Sequence, residues 1–222
     1  MREFKKYPVT MLILVLTTLI FLAMQLTYGS YAETSIAGIQ FGAMYGELVK
    51  ASPIQLWRLV TPIFVHFGWE HFLINMLTVY FLGQMAETIW GSRRFLLLYV
   101  LSGIMGNAVT LFFTPNVVAA GASTSIFGLF AAVILVGYYG HNVQLKQLGR
   151  SYQALIAINL IFNLFTPGIS LAGHLGGLLG GALMAVSLPT LFEPHLFSRK
   201  YRALAAGLYV LIVVILVFLA LA

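Results

Sequence analysis

Apolar residues in this chain come in long continuous runs, not in alternation. Seven runs stand out, at residues 9–28, 70–90, 95–114, 123–140, 152–165, 171–191 and 201–222. About 20 apolar residues span a bilayer as a helix. Each run therefore predicts a membrane helix, and the lack of alternation argues against barrel strands. The fifth run is short: either it starts earlier, near Leu145, or it does not cross perpendicular to the membrane. The connection 29–69 is long, rich in aromatics, Gly and Ser, and weakly charged. A linker of that length should be polar, so this one predicts a folded, partly membrane-embedded loop. The other connections are short, which predicts a compact bundle of antiparallel neighbours. The predicted fold class is an all-α polytopic membrane protein.

Composition agrees with the pattern. Of 222 residues, 60% are hydrophobic and 8% charged, against roughly 25% charged in soluble domains. Net charge is +6, but the basic residues cluster between runs. Arg2, Lys5 and Lys6 precede the first run, and Arg93 and Arg94 follow the second. Lys146 and Arg150 follow the fourth; Arg199, Lys200 and Arg202 flank the start of the seventh. Of the 12 Lys and Arg, only Lys50 and Arg58 fall on the other side. That asymmetry predicts a cytoplasmic N-terminus; the expected location is a cell membrane, bacterial inner or plasma membrane, crossed several times. No basic face with interleaved aromatics is present, so nucleic acid is excluded as a partner. Ser30-Tyr31-Ala32 resembles a signal cleavage site. The apolar stretch 9–26 is longer than a signal core, and the first run is read as a retained span.

Four polar residues lie near the starts of long runs: His71, Asn75, Ser123 and His174. Polar groups inside a membrane are costly and point to function by default. The second, fourth and sixth runs all pass from the outer to the inner face, so His71, Ser123 and His174 share the outer end. His71 and Asn75 are four apart and share a helical face. Gly121 precedes Ser123, where close backbone approach is needed, and a helix N-terminus there leaves an orphan N–H to stabilise an oxyanion. Gly173, Gly177 and Gly181 repeat every fourth residue, a spacing that brings membrane helices close. The fourth helix is the natural neighbour. With neither Cys nor Asp in the chain, thiolate chemistry and a Ser-His-Asp triad are excluded. A hydroxyl, an imidazole and two donors are the parts of a serine hydrolase. Each signal alone has a bland alternative: a membrane Ser usually bonds its own backbone, and an Asn or a Gly stripe usually packs helices. The shared depth of the polar set is what favours a site.

Several segments carry a family resemblance. His66-Phe67-Gly68-Trp69-Glu70-His71 with Asn75-Met76 resembles the second-helix signature of rhomboid intramembrane serine proteases. Gly121-Ala122-Ser123 with Phe127-Gly128-Leu129 resembles their nucleophile segment, and Gly173-His174-x-x-Gly177-x-x-x-Gly181 their catalytic-histidine helix. Trp57-Arg58-x-x-Thr61 and Glu87-x-x-x-Gly91-Ser92-Arg93-Arg94-Phe95 are similar to the family's loop motif and its turn between helices two and three.

The resemblance implies a six-helix protease core, 1–191, with the long outer loop at about 29–69. A cytoplasmic linker and an appended seventh helix would make up 192–222. It implies Ser123 as nucleophile and His174 as base, with His71 and Asn75 in the oxyanion hole. Phe127 would pack on the imidazole, and Gly121, Gly177 and Gly181 would support the site. Substrates would be transmembrane proteins in the lipid bilayer, reaching the site near the fifth helix, with residues 166–170 as a lid. No metal or cofactor is needed. One position departs: Thr124 stands where the family has Gly, which raises the alternative of a catalytically inactive, client-binding relative. Ser125 is a second conceivable nucleophile. A more distant reading is a haem-binding or ion-conducting bundle using His66, His71 and His174.

Overall fold

A computed structural model describes residues 2–165 and 170–222. A short α1 (Arg2–Lys6) leads into α2 (Pro8–Tyr28), which Pro8 opens from a position needing no N–H. The long loop is folded. It holds α3 (Ser35–Gln40), a two-residue strand β1 (Met44–Tyr45), α4 (Gly46–Ala51) and two 3-10 turns, Pro53–Leu59 and Thr61–Phe64. Then come α5 (Trp69–Trp90), α6 (Ser92–Phe113), β2 (Val118–Ala119), α7 (Ser123–Tyr139), α8 (Val143–Phe165), α9 (Leu171–Ser187) and α10 (Arg199–Leu221). The fold is an all-α polytopic membrane bundle. Helices α2, α5, α6 and α10 are long and apolar enough to cross a membrane.

One open boundary is resolved and another is corrected. The fifth helix begins at Val143, close to the earlier start expected near Leu145; its first turns carry Gln144, Lys146, Gln147 and Arg150, which hydropathy alone reads as loop. The sixth ends at Ser187 and not at 191, because Leu188 is extended (φ −95°, ψ 118°) ahead of Pro189.

The loop is held by its own polar groups. Arg58 donates from Nη1 to the Ile39 and Ala43 carbonyls, each at 2.8 Å, and its guanidinium lies 4.3 Å from the Trp57 ring centre. Thr61 Oγ1 donates to the Gly42 carbonyl at 2.7 Å. Strand β1 pairs antiparallel with β2 (Met44 with Ala119, Tyr45 with Val118), tying the loop to the segment just before α7. At the opposite end of α5, buried Glu87 accepts from the Val9 and Thr10 amides (3.1 and 2.9 Å) and from Thr10 Oγ1 (2.7 Å). A carboxylate at a helix N-terminus satisfies orphan donors and the helix dipole together.

The centre of the bundle is α9, packed on α6 and α7. Backbone meets backbone there. A Cβ on Gly177 would stand 2.1 Å from the Thr124 carbonyl oxygen, and one on Gly181 2.0 Å from that of Gly128. Gly176 and Gly180 form a second stripe facing α6, against Gly106 and Met105. Helices α7 and α9 have 17 residues each, about 25 Å long at 1.5 Å per residue. That is shorter than the roughly 30 Å hydrocarbon core, so an end of each can sit below the membrane surface.

Candidate active site

Ser123 is the first residue of α7, and Ala122 before it offers no capping side chain. The first-turn amides of α7 are therefore not consumed by a local cap. Gly121 has φ +128°, a conformation suited to glycine, and a Cβ there would stand 2.7 Å from His71 Cε1 and 2.8 Å from Nε2. Gly121 thus lets the His71 ring approach the serine's turn.

Ser123 Oγ lies 2.8 Å from His174 Nε2, so the hydroxyl can donate to an unprotonated imidazole. His174 is buried on the first turn of α9, after Ser170 caps that helix by accepting from the Gly173 amide at 3.0 Å. Phe127, one turn after Ser123, stacks on the imidazole with ring centres 4.2 Å apart and planes 12° apart. Asn75 is buried one turn below His71. Its Nδ2 donates to the His71 carbonyl at 2.8 Å, which leaves the amide a second N–H.

These groups line one cavity of about 760 Å³, in the range of ligand sites. His71, Asn75, Gly121, Ser123, Phe127 and His174 all contribute to its wall. The cavity continues between α5 and α8, past Ile74 and Thr78 on one side and Leu155 and Asn159 on the other. Gly177 and Gly181 lie in the helix seam behind it. Of the predicted lid, 166–169 fall outside the described residues, and Ser170 lines the cavity.

Ser125 is corrected. It is fully buried, with its Oγ 2.7 Å from where a Gly103 Cβ would stand, and it is not part of the cavity wall. Its burial leaves no route for a substrate carbonyl. Thr124 is accommodated: its side chain faces Gly106 of α6 and Gly173 of α9, where a Cβ would approach it to 2.8 and 3.1 Å.

Some cavity residues went unpredicted. Asn107 donates from Nδ2 to the Leu59 carbonyl at 2.9 Å, and Thr110 Oγ1 lies 3.2 Å from Ser170 Oγ. Both interrupt the apolar run 95–114, and the rule that singled out Asn75 would have found them. His66 is another. Fully buried, it accepts the Ala122 N–H on Nε2 at 3.2 Å. Burial, and secondarily the neighbouring His71, push its pKa down to about 3 against an opposing contribution from the Phe64 backbone.

The comparisons with known proteins bear on this arrangement. A family profile described as "Rhomboid domain" matches residues 53–190. The rhomboid protease GluP of Bacillus subtilis is 36% identical over 180 residues, 81% of this chain and 34% of that protein. A second B. subtilis protein whose name contains the words rhomboid protease, YdcA, is 31% identical over 81% of this chain and 87% of its own length. Rhomboid-like protease 3 of Toxoplasma gondii is 31% identical over 70% of this chain and 59% of its own. The chain therefore spans about a third of GluP and most of YdcA.

Proposed function

The chain belongs to the rhomboid family, and from that premise we propose that it is an intramembrane serine protease working through a Ser123–His174 dyad. The observation that carries this reading is the 2.8 Å approach of Ser123 Oγ to His174 Nε2 on the wall of a cavity of about 760 Å³. The chain has no Asp; Glu87 and Glu193 are engaged elsewhere, with α2 and with His141, and Glu33 and Glu70 of the cavity wall are given no role in the dyad. A third, acidic member is not part of the proposal.

Ser123 Oγ attacks the carbonyl carbon of a scissile peptide bond as His174 Nε2 takes its proton. The proton then passes from His174 to the leaving amine, the C–N bond breaks and an acyl-enzyme remains. Water, deprotonated by the same imidazole, attacks the ester; the ester C–O bond breaks and His174 returns the proton to Ser123 Oγ. The Ser123 N–H, the His71 ring and the second N–H of Asn75 face the developing oxyanion. Removing one such donor typically lowers kcat about 10²–10³-fold. Phe127, stacked on the imidazole, limits its tilt during these proton transfers.

Substrates are transmembrane proteins. Their backbone groups are hydrogen-bonded within a helix in lipid, so a segment must unwind to present a carbonyl. Small or helix-breaking residues near the cut favour this. The opening between α5 and α8 is the route of approach. The excess of Lys and Arg at one end supports an N-terminus in the cytoplasm and a cavity toward the outer face of the cell membrane. Residues 1–191 form the protease core; 192–222 are the cytoplasmic linker and appended helix.

Ser123→Ala and His174→Ala should each lower cleavage of a transmembrane substrate by about 10⁴-fold or more. A fluorophosphonate should label the wild type at Ser123 and leave Ser123→Ala unlabelled. Undiminished cleavage by either variant refutes the dyad. A folded wild type that resists labelling favours a non-catalytic client-binding protein.

A further inference from the structure

We propose that His66 is a positioning residue that anchors the nucleophile's turn as a neutral imidazole protonated on Nδ1. This deepens the reading of Ser123 as nucleophile and rests on it. Helix α7 starts without a local cap, since Ala122 has no polar side chain. A Ser, Thr or Asp at that position would accept from first-turn amides, in competition with any oxyanion the turn has to hold. The turn is secured from the long loop instead. The Gly121 amide donates to the Pro62 carbonyl at 2.8 Å, and the Ala122 amide donates to His66 Nε2 at 3.2 Å. Two consecutive amides are thereby fixed by residues more than fifty positions earlier. The next amide, that of Ser123, stays available.

The hydrogen bond dictates the tautomer. A ring nitrogen that accepts from an amide carries no proton, so the single proton of neutral His66 sits on Nδ1. Nδ1 is buried without a partner at good hydrogen-bond geometry. A charged ring would turn a second N–H against the Ala122 amide and lose the anchor. His71 is the titratable group beside it among the described residues, with ring centres 5.1 Å apart. Phe72, with its ring centre 5.9 Å away, contributes no charge. The ring's full burial and its packing against His71 keep it neutral.

His66→Phe keeps an aromatic ring and removes the acceptor; His66→Gln keeps a neutral acceptor. With a fluorogenic transmembrane peptide, the Phe variant should lose kcat on the order of ten- to a hundredfold with KM little changed, because small misplacements of a reacting group have effects of that size. The Gln variant should recover at least part of the loss. A folded Phe variant with wild-type kcat overturns the proposal, and so does a Gln variant as impaired as Phe. A second measurement covers the case in which the Phe variant fails to fold. In wild-type protein with ¹⁵N-labelled histidine, the His66 ring should show a protonated Nδ1 and a bare Nε2, unchanged from pH 8 to pH 5. An Nε2–H tautomer, or titration in that interval, overturns the proposal even if Ser123→Ala has already confirmed the nucleophile. Conversely, cleavage surviving in Ser123→Ala sinks the nucleophile reading and leaves the tautomer result standing.

Discussion

Helices α9 and α8 both border the cavity, but they are built in opposite ways. Helix α9 lies in a seam where glycines on two faces set backbone on backbone, against α7 through Gly177 and Gly181 and against α6 through Gly176 and Gly180. Among the described residues, helix α8 is anchored mainly in its first half. Leu145 and Gly149 are buried against α7, and Tyr152 meets Phe130 and Met85. From Tyr152 to Ile161 no residue is fully buried, while Leu155 and Asn159 face the cavity. The seam holds a 2.8 Å contact between side chains 51 residues apart; the edge leaves an opening. Interiors packed to crystal density resist displacement, and segments with few buried contacts open at low free energy. On the proposed function, chemistry and access then fall to different parts of one bundle.

The seam is the place to break first. A methyl group at Gly181 would stand 2.0 Å from the Gly128 carbonyl oxygen and 2.4 Å from its carbonyl carbon. No side-chain rotation relieves a backbone contact, so α7 and α9 must separate. Gly181→Ala should destabilise by about 3 kcal/mol, the upper part of the overpacking range, and abolish cleavage because Ser123 and His174 sit on the two displaced helices. Gly207 of α10 is the control, since a Cβ there meets nothing within 4 Å. Gly207→Ala should raise stability by up to about 1 kcal/mol through helix propensity. Thermal unfolding in detergent reads both. Equal effects at the two positions would remove the seam's special status.

Thr124 sharpens the comparison, because it places a branched side chain inside the seam. Gly106 faces it from α6, where an added Cβ would lie 2.8 Å from Thr124 Cβ and 2.6 Å from the Gly173 carbonyl oxygen. Thr124→Gly should cost about 1–2 kcal/mol, from lost packing and the flexibility of glycine in a helix. Gly106→Ala should cost about 1–3 kcal/mol by overpacking. Together they should cost less than their sum by about 1 kcal/mol, since the vacated volume admits part of the new methyl. Additivity would mean that Thr124 does not press on Gly106. Thr124→Gly should still cleave, because the family's usual glycine then follows the nucleophile.

How much of this is legible before folding depends on which force leaves a trace in residue type. Burial in lipid leaves continuous apolar runs, so the membrane helices are readable along the chain. The Gly173-Gly177-Gly181 spacing announces a close seam, and charge asymmetry sets the common end of His71, Ser123 and His174. The start of helix α8 is left open between two readings because its first turns are polar and lie outside any apolar run. The second glycine stripe, Gly176 and Gly180, hides in the same Gly-rich stretch, since spacing does not say which face meets which neighbour. The links of Glu87 to Thr10 and of His66 to Ala122 join residues 77 and 56 positions apart. No local periodicity marks such pairs. The accommodation of Thr124 by Gly106 is equally hidden, because it is a match of shapes across two helices.

The edge gives the smallest expected effect on stability and the cleanest separation of access from chemistry. Leu155 is 39% exposed and lines the cavity where α8 faces α5. Leu155→Ala removes little buried surface, so stability should change by less than about 0.5 kcal/mol. A transmembrane substrate that passes along α8 should respond, with kcat/KM shifted by about three- to tenfold, the worth of one or two apolar groups in a binding wall. A small fluorophosphonate needs only Ser123, so its labelling rate should stay within about twofold. If the two rates fall together, α8 supports the dyad and the division between seam and edge fails. If unfolding shifts as far as in Gly181→Ala, α8 is packed as tightly as the seam, and the opening between α5 and α8 is no route for a substrate.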